Sequence, residues 1–280
     1  MLIAALGLAV VSATPATMPA VLAAARPGDR IVMAPGMYEP VVILDRQFSP
    51  PLTLDAGKAR FRLAIRRSSG VRVIGGELGP ALGKDPENTM KLGPLGYAAS
   101  VSHSSDVGFS GTIFADAVRG LTIGKSSDVT VDRATLTRLK TDGIDIALSR
   151  RVTVTNSTCT DFTPRPGDHP DCIQMWSRPE EPPTSDVVLR GNTARGAMQG
   201  FSGFNHVRKG VDDGGFDRIT IENNTVYGTY PHGVALFAGR DSRITGNKTR
   251  ALPGGRWRVG VNIRDCTRCV VENNDVGPKP

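Results

Sequence analysis

The chain has 280 residues, with 34 Lys+Arg against 27 Asp+Glu, a formal charge of +7, and 39% apolar and 22% charged residues. This composition is globular and excludes a disordered or collagen-like chain. The modest basic excess suits an acidic partner, and no run of five like charges marks an electrostatic tail.

The first predicted element is apolar, Leu2 to Val11, with small residues Ser12 and Ala13 behind it. It stops well short of the roughly 20 residues of a membrane span, so no stable membrane insertion is expected. Residues 1–13 read as the hydrophobic part and cleavage region of a secretory signal, or else as a first buried strand. The signal reading places the protein outside the cytoplasm, secreted or periplasmic. Residues 14–280 are then one domain. Pro19 to Arg26 predicts a short helix, stopped by Pro27-Gly28-Asp29. A capping helix followed by PGDRIVMAPGMY resembles the opening segment of secreted parallel β-helix proteins such as polysaccharide lyases. That resemblance concerns architecture and not chemistry.

A short phrase then recurs: Ser-Asp-Val at 105–107, 127–129 and 185–187, Arg-Arg-Val at 150–152, Asp-Arg-Ile at 217–219, Ser-Arg-Ile at 242–244 and Arg-Cys-Val at 268–270. The final residues are 22, 23, 35, 32, 25 and 26 apart. Strands such as VTVTN and ITIENN alternate with period two, the mark of a half-buried strand. Polar turns follow at Asn156, Asn192, Asn224, Asn247 and Asn274. A unit of this length with short strands and no helix is one coil of a solenoid, stacked about 4.8 Å from the next. The asparagines are expected to form an internal ladder rather than to act in catalysis. The fold expected is all-β: a parallel β-helix of about eight coils with a short N-terminal capping helix, right-handed by the family resemblance. Such a capped solenoid is expected to be a monomer.

The two long intervals add loops near Thr163–Pro170, Arg178–Pro183 and Asn205–Gly215, which would wall a groove. Aligning coils through the repeat stacks Arg119, Asp142, Asp171, Gln199 and His232 in one column. Thr122, Asp145, Gln174, Ser202 and Ala235 fall in a second. Strict alternation would turn Asp142 inward with Ile144, at high cost for a carboxylate, unless the chain corners at Gly143.

These segments resemble polygalacturonase-like glycoside hydrolases, whose strands carry N-T-D, G-D-D, G-H-G and R-I-K in that order. Lys140-Thr141-Asp142 matches the first with Lys for Asn. His169-Pro170-Asp171-Cys172 matches the second with Pro170 in place of its leading carboxylate. Pro231-His232-Gly233 matches the third, and Asn262-Ile263-Arg264 loosely matches the fourth. The order holds over roughly half the chain, with an extra coil at Gln199. The resemblance implies a carboxylate acid/base pair acting on glycosidic bonds of an acidic, uronate-containing polysaccharide. Asp142, Asp171 and His232 would be catalytic, helped by Asp145 or Asp168. Arg119, His169, Gln174, Gln199, Asn262 and Arg264 would bind substrate, and Trp176 would stack on a sugar or pack between coils.

Two other readings stay open. One is β-elimination or C5-epimerisation, which needs a base such as His169 or His232 and a cation to neutralise the carboxylate. No metal or cofactor is expected, except Ca2+ if elimination is the chemistry. The other is a non-catalytic binding or structural solenoid. Nucleic acid is disfavoured, because no basic stripe interleaves with aromatics. The four cysteines, Cys159, Cys172, Cys266 and Cys269, allow three disulfide pairings. Cys266-Thr-Arg-Cys269 lacks the second pair that a four-ligand zinc site needs, and is read as a local disulfide or buried thiols.

Overall fold

The computed structural model describes residues 9–79 and 96–280. The apolar segment before residue 9 lies outside the described residues. Val10–Ala13 is a strand paired in parallel with Arg30–Met33. The helix spans Met18–Ala24, with a proline in its first turn as the sequence predicts.

The chain then winds as a parallel β-helix. Among the described residues one narrow sheet carries nine strands: β1 (Val41–Leu44), β2 (Leu63–Arg66), β3 (Tyr97–Ser102), β4 (Arg119–Gly124), β5 (Ile144–Ala147), β6 (Asp171–Trp176), β7 (Gln199–Gly203), β8 (His232–Phe237) and β9 (Gly260–Arg264). A second, 21-stranded sheet forms the remaining walls, with parallel pairing throughout. Alternation puts Leu121, Ile123, Ile144, Ile146, Ile173, Met175 and Phe201 inside, all buried. Each rung therefore buries its apolar face on the rung above and below, which supplies the main driving force.

The corners use two residues. The first takes a left-handed conformation: Asn156, Asn223 and Asn273 at φ 51°, 55° and 55°, and Gly191 and Gly246 at φ 67° and 65°. Asn and Gly tolerate that region best. The second residue forms the ladder. Asn224, Asn247 and Asn274 each accept the backbone and side-chain N–H donors of the preceding asparagine, the first of them Asn192. Asn156 is not part of it. Its Nδ2 donates to Asp132 at the surface, and Ser157 holds the ladder place, where its N–H donates to Asn192 Oδ1. A second ladder, of Ser68, Ser104, Ser126 and Ser149, lines another corner through N–H donation to the next hydroxyl.

The repeat is corrected at its end. Ile244 pairs with Ile221 and Val271, not with Ile219 and Val270. Ile219 and Ile221 both point inward, so the two-residue slip on that side keeps the apolar parity, whereas the one-residue slip on the other side falls on Val270 and Val271, both exposed, and neither leaves a trace in the pattern.

Replacing Asn224 by Ala is expected to orphan the buried Asn192 N–H and the Leu189 carbonyl. At about 1–3 kcal/mol for each buried orphan, a loss near 3 kcal/mol is expected by denaturant unfolding. A loss below about 1 kcal/mol would show that the ladder is only decoration.

Both cysteine pairs are disulfides. Cys159–Cys172 ties the strand Thr158–Thr160 to β6 beside Asp171, and Cys266–Cys269 closes a four-residue loop in the last coil.

A carboxylate floor under a loop-walled cavity

The strand register decides which side chains meet. Leu121 pairs with Ile144, Ile144 with Ile173, Asp171 with Gln199, and Phe201 with Val234. Arg119, Asp142, Asp171, Gln199 and His232 therefore share a column, and Thr122, Asp145, Gln174, Ser202 and Ala235 share another.

The corner before β5 is what brings Asp142 to Asp145. A Cβ at Gly143 would lie 2.4 Å from the Cys172 carbonyl oxygen, and one at Gly120 would lie 2.3 Å from the Gly143 carbonyl oxygen. Only glycine lets the stacked chains approach this closely and turn. Asp142 thereby leaves inward parity. Its Oδ1 accepts the Asp171 N–H at 3.0 Å. Arg119 Nε lies 3.4 Å from Asp142 Oδ2 and 3.4 Å from Asp145 Oδ2, and donates to Thr141 Oγ1.

Asp171 is fully buried. Ser202 Oγ donates to its Oδ1 at 2.6 Å and Gln174 Nε2 to its Oδ2 at 3.1 Å. Gln199 Nε2 stands 3.5 Å from that oxygen and from the His169 carbonyl. Asp145 points outward from the coil, as alternation predicts, but is roofed by its neighbours and buried. Its Oδ1 has no hydrogen-bond partner.

Three carboxylates thus face one guanidinium contact. Burial pushes Asp145 up to about 7, Asp142 adds to the rise, and Arg119 and Trp176 oppose it. Burial also raises Asp142, against the Asp171 N–H and Arg119, and raises Asp171 well above the carboxylate range, reinforced by Asp142. The floor holds protons at pH values where an exposed carboxylate has lost them.

This has a stability consequence. The unfolded chain releases the Asp145 proton near the usual value of 3.8, whereas the folded chain keeps it to about 7. Its contribution is full below the unfolded value and is lost as pH rises through that window. Asp145→Asn should therefore raise the melting temperature at pH 8 and leave it nearly unchanged at pH 4. Equal shifts at both pH values would contradict a protonated Asp145.

Over the floor lies a cavity of about 540 Å³. Arg119, Thr141, Asp142 and Gln174 line its base, and Trp176 projects beside them. All three inserted loops contribute walls: Asp168 and His169, then Arg178, then His206, Arg208 and Asp213. The last loop carries a hairpin, Val207–Arg208 against Val211–Asp212. Asp213 Oδ2 accepts the His206 N–H. The wall residues after Trp176, and Ser202 on the floor, were not among the sequence candidates. Their only signal was the length of the inserted loops and the second column.

His232, Asn262 and Arg264 do not join this cavity. The Gln199 rung intervenes, so His232 stands two rungs, about 10 Å, from Asp171. Phe204, a cavity wall, packs edge-on against the His232 ring at 5.1 Å between centroids. Asn262 Nδ2 donates to His232 Nδ1 at 3.1 Å. Burial, then Arg264 and His169, lower the His232 pKa, which favours the neutral ring. Arg264 lies over the Phe237 ring at 4.8 Å.

Among the described residues, no group of three or more His, Cys, Asp or Glu is arranged to hold a metal ion. With Arg119 against Asp142 and Asp145, the floor does not fit a calcium site. No described helix is long and apolar enough to cross a membrane.

The sequence profile described as right handed beta helix region matches residues 88–249. No curated protein matches the sequence. Solved structures resemble it in fold. A mannuronic acid specific polysaccharide family 6 lyase from human gut microbiota has TM-score 0.61 at 15% identity, covering 96% of this chain and 66% of that one. An endo-xylogalacturonan hydrolase from Aspergillus tubingensis has TM-score 0.55 at 11% identity, covering 94% and 93%. PfbA, a surface adhesin of Streptococcus pneumoniae, has TM-score 0.58 at 10% identity, covering 88% and 71%. The chain spans 35% of the length of the alginate lyase AlyGC. At these identities the likeness is one of fold alone.

Proposed function

Because the chain belongs to the right-handed β-helix family, we propose that it is a polysaccharide-active enzyme that hydrolyses glycosidic bonds in an acidic, uronate-containing polymer. The observation that carries this reading is the placement of Asp142. It is the only member of the Asp142–Asp145–Asp171 cluster that lines the cavity. Its burial raises its pKa and so favours the protonated form, against the opposing pull of the Asp171 N–H and Arg119. A carboxylic acid that keeps its proton near neutral pH can donate it to a leaving glycosidic oxygen.

Asp168 is the second carboxylate of the cavity wall and takes a proton from the attacking water; Asp213 is held by His206. Asp171 positions Asp142 through its backbone N–H, and Ser202 and Gln174 brace Asp171 in turn. Trp176 keeps 44% of its surface exposed, enough to receive a sugar face. Arg119, Arg178 and Arg208 give the cavity the charge to hold a polyanion. The two disulfides suit an oxidising compartment, and so an exported protein.

One observation favours elimination instead. His169 stands exposed at the cavity wall beside these arginines, with the parts of a base and of carboxylate neutralisation. A screen of pectic, alginate and glycosaminoglycan polymers separates the readings. Hydrolysis gives new reducing ends without ultraviolet absorbance. Elimination gives both, and epimerisation leaves chain length unchanged. Binding without any of these products would assign the protein to the non-catalytic class.

A further inference from the structure

Two buried carboxylates share one cation, and that cation also faces the cavity. The Arg119 side chain is 25% exposed, against 9% for Asp142 and 5% for Asp145. Both ion-pair contacts run through Nε. A guanidinium's fork is the part that grips a carboxylate with two parallel bonds.

Building on the uronate reading above, we propose that Arg119 anchors a substrate carboxylate and that its capture makes Asp145 take up a proton from solvent. A uronate on Arg119 draws on the positive charge that offsets Asp142 and Asp145. With Asp142 holding the proton that it donates, Asp145 is the carboxylate left ionised at pH 7.5, and a second anion beside it is strongly unfavourable at low dielectric. Protonating Asp145 relieves this. Asp145 is the less exposed of the two, and its Oδ1 has no donor to lose.

Among the described residues, nothing else around Asp145 supplies a replacement charge. Asp142, on the preceding corner, opposes its ionised form whenever it is itself charged, and Asp145 in turn acts on Asp171 of β6 in the same sense. From β6, Trp176 offers an indole N–H and Gln174 is neutral. From β4, Thr122 is neutral. His169, on the loop, acts on Asp142, and Tyr97 of β3 flanks Arg119. The site is thus loaded with a proton by the act of binding, and only by a substrate that carries a carboxylate.

The test is calorimetry on the full chain at pH 7.5 with trimers of galacturonate, mannuronate and guluronate, each in phosphate and in Tris. The expected result is a buffer-dependent binding heat equivalent to about one proton taken up per site, fading below pH 6. Asp145→Asn should bind with no buffer dependence. Above pH 7.5 it should gain on the original chain by up to about tenfold per pH unit. Arg119→Met should lose the uronate trimers while keeping their carboxyl-reduced forms. Binding without a buffer-dependent heat, or equal proton uptake by Asp145→Asn, overturns the inference and leaves the proposed activity standing. Cleavage in the polymer screen with an unchanged KM for Arg119→Met also overturns the inference alone. No binding of any trimer and no cleavage of any polymer overturns both.

Discussion

Asp142→Asn is expected to lower kcat by about 10²- to 10⁴-fold, the usual worth of a positioned general acid or base. KM should move little. The substitution keeps the shape of the side chain, and an Asn Oδ1 can still accept the Asp171 N–H that now holds Asp142 at 3.0 Å. The corner at Gly143 therefore survives, and what is lost is the transferable proton. Removing one of the crowded carboxylates also relieves repulsion on Asp145 and Asp171. The variant should be at least as stable as the original chain above pH 7, so a fall in rate cannot be blamed on unfolding. Initial rates on the polymer found in the screen, with unfolding curves on the same samples, check this. A rate within fivefold of the original would remove Asp142 from the reaction.

Gly200→Ala is expected to cost about 3 kcal/mol or more, the upper end of what overpacking does. A Cβ there would sit 2.0 Å from the Gly233 carbonyl oxygen and 2.6 Å from Val226 Cγ2. The carbonyl belongs to the next rung, at the start of β8, and cannot retreat without opening the stack. The valine is a buried core residue. The damage should spread to the site, because β7 also carries Gln199 and Ser202, and Ser202 holds Asp171. Denaturant unfolding and activity should fall together. An alanine variant with full stability would mean that the rungs are spaced more loosely at this corner than the stacking distances require.

Much of the site was legible before any coordinates. The two polar columns follow from strand parity and from repeats that step by whole coils, and the register reproduces both from Arg119 to Ala235. The doubt over Asp142 was also legible, since alternation alone would have buried it among aliphatics; the close-packed glycine corner resolves it. Other features escaped. From the sequence Asn156 reads as a ladder member, because Asn-Ser and Asn-Asn look alike without knowing which of two corner residues is left-handed. The slip between Ile221 and Ile244 leaves no mark, because a shift of two preserves parity, and the single-residue slip to Val271 leaves none because Val270 and Val271 are both exposed.

The sequence by itself determined the coil, its inward and outward faces, and which residues lie in line along the solenoid. These depend on neighbours one or two positions away and on a period that repeats. Only the tertiary structure decided which of the aligned groups meets the cavity. Asp142 does, Asp171 is sealed beneath Ser202, Gln174 and Gln199, and His232 stands beyond an extra rung beside Phe204. Access to solvent is set by loops that return from distant parts of the chain, and so are the charges that burial confers on the carboxylates beneath them.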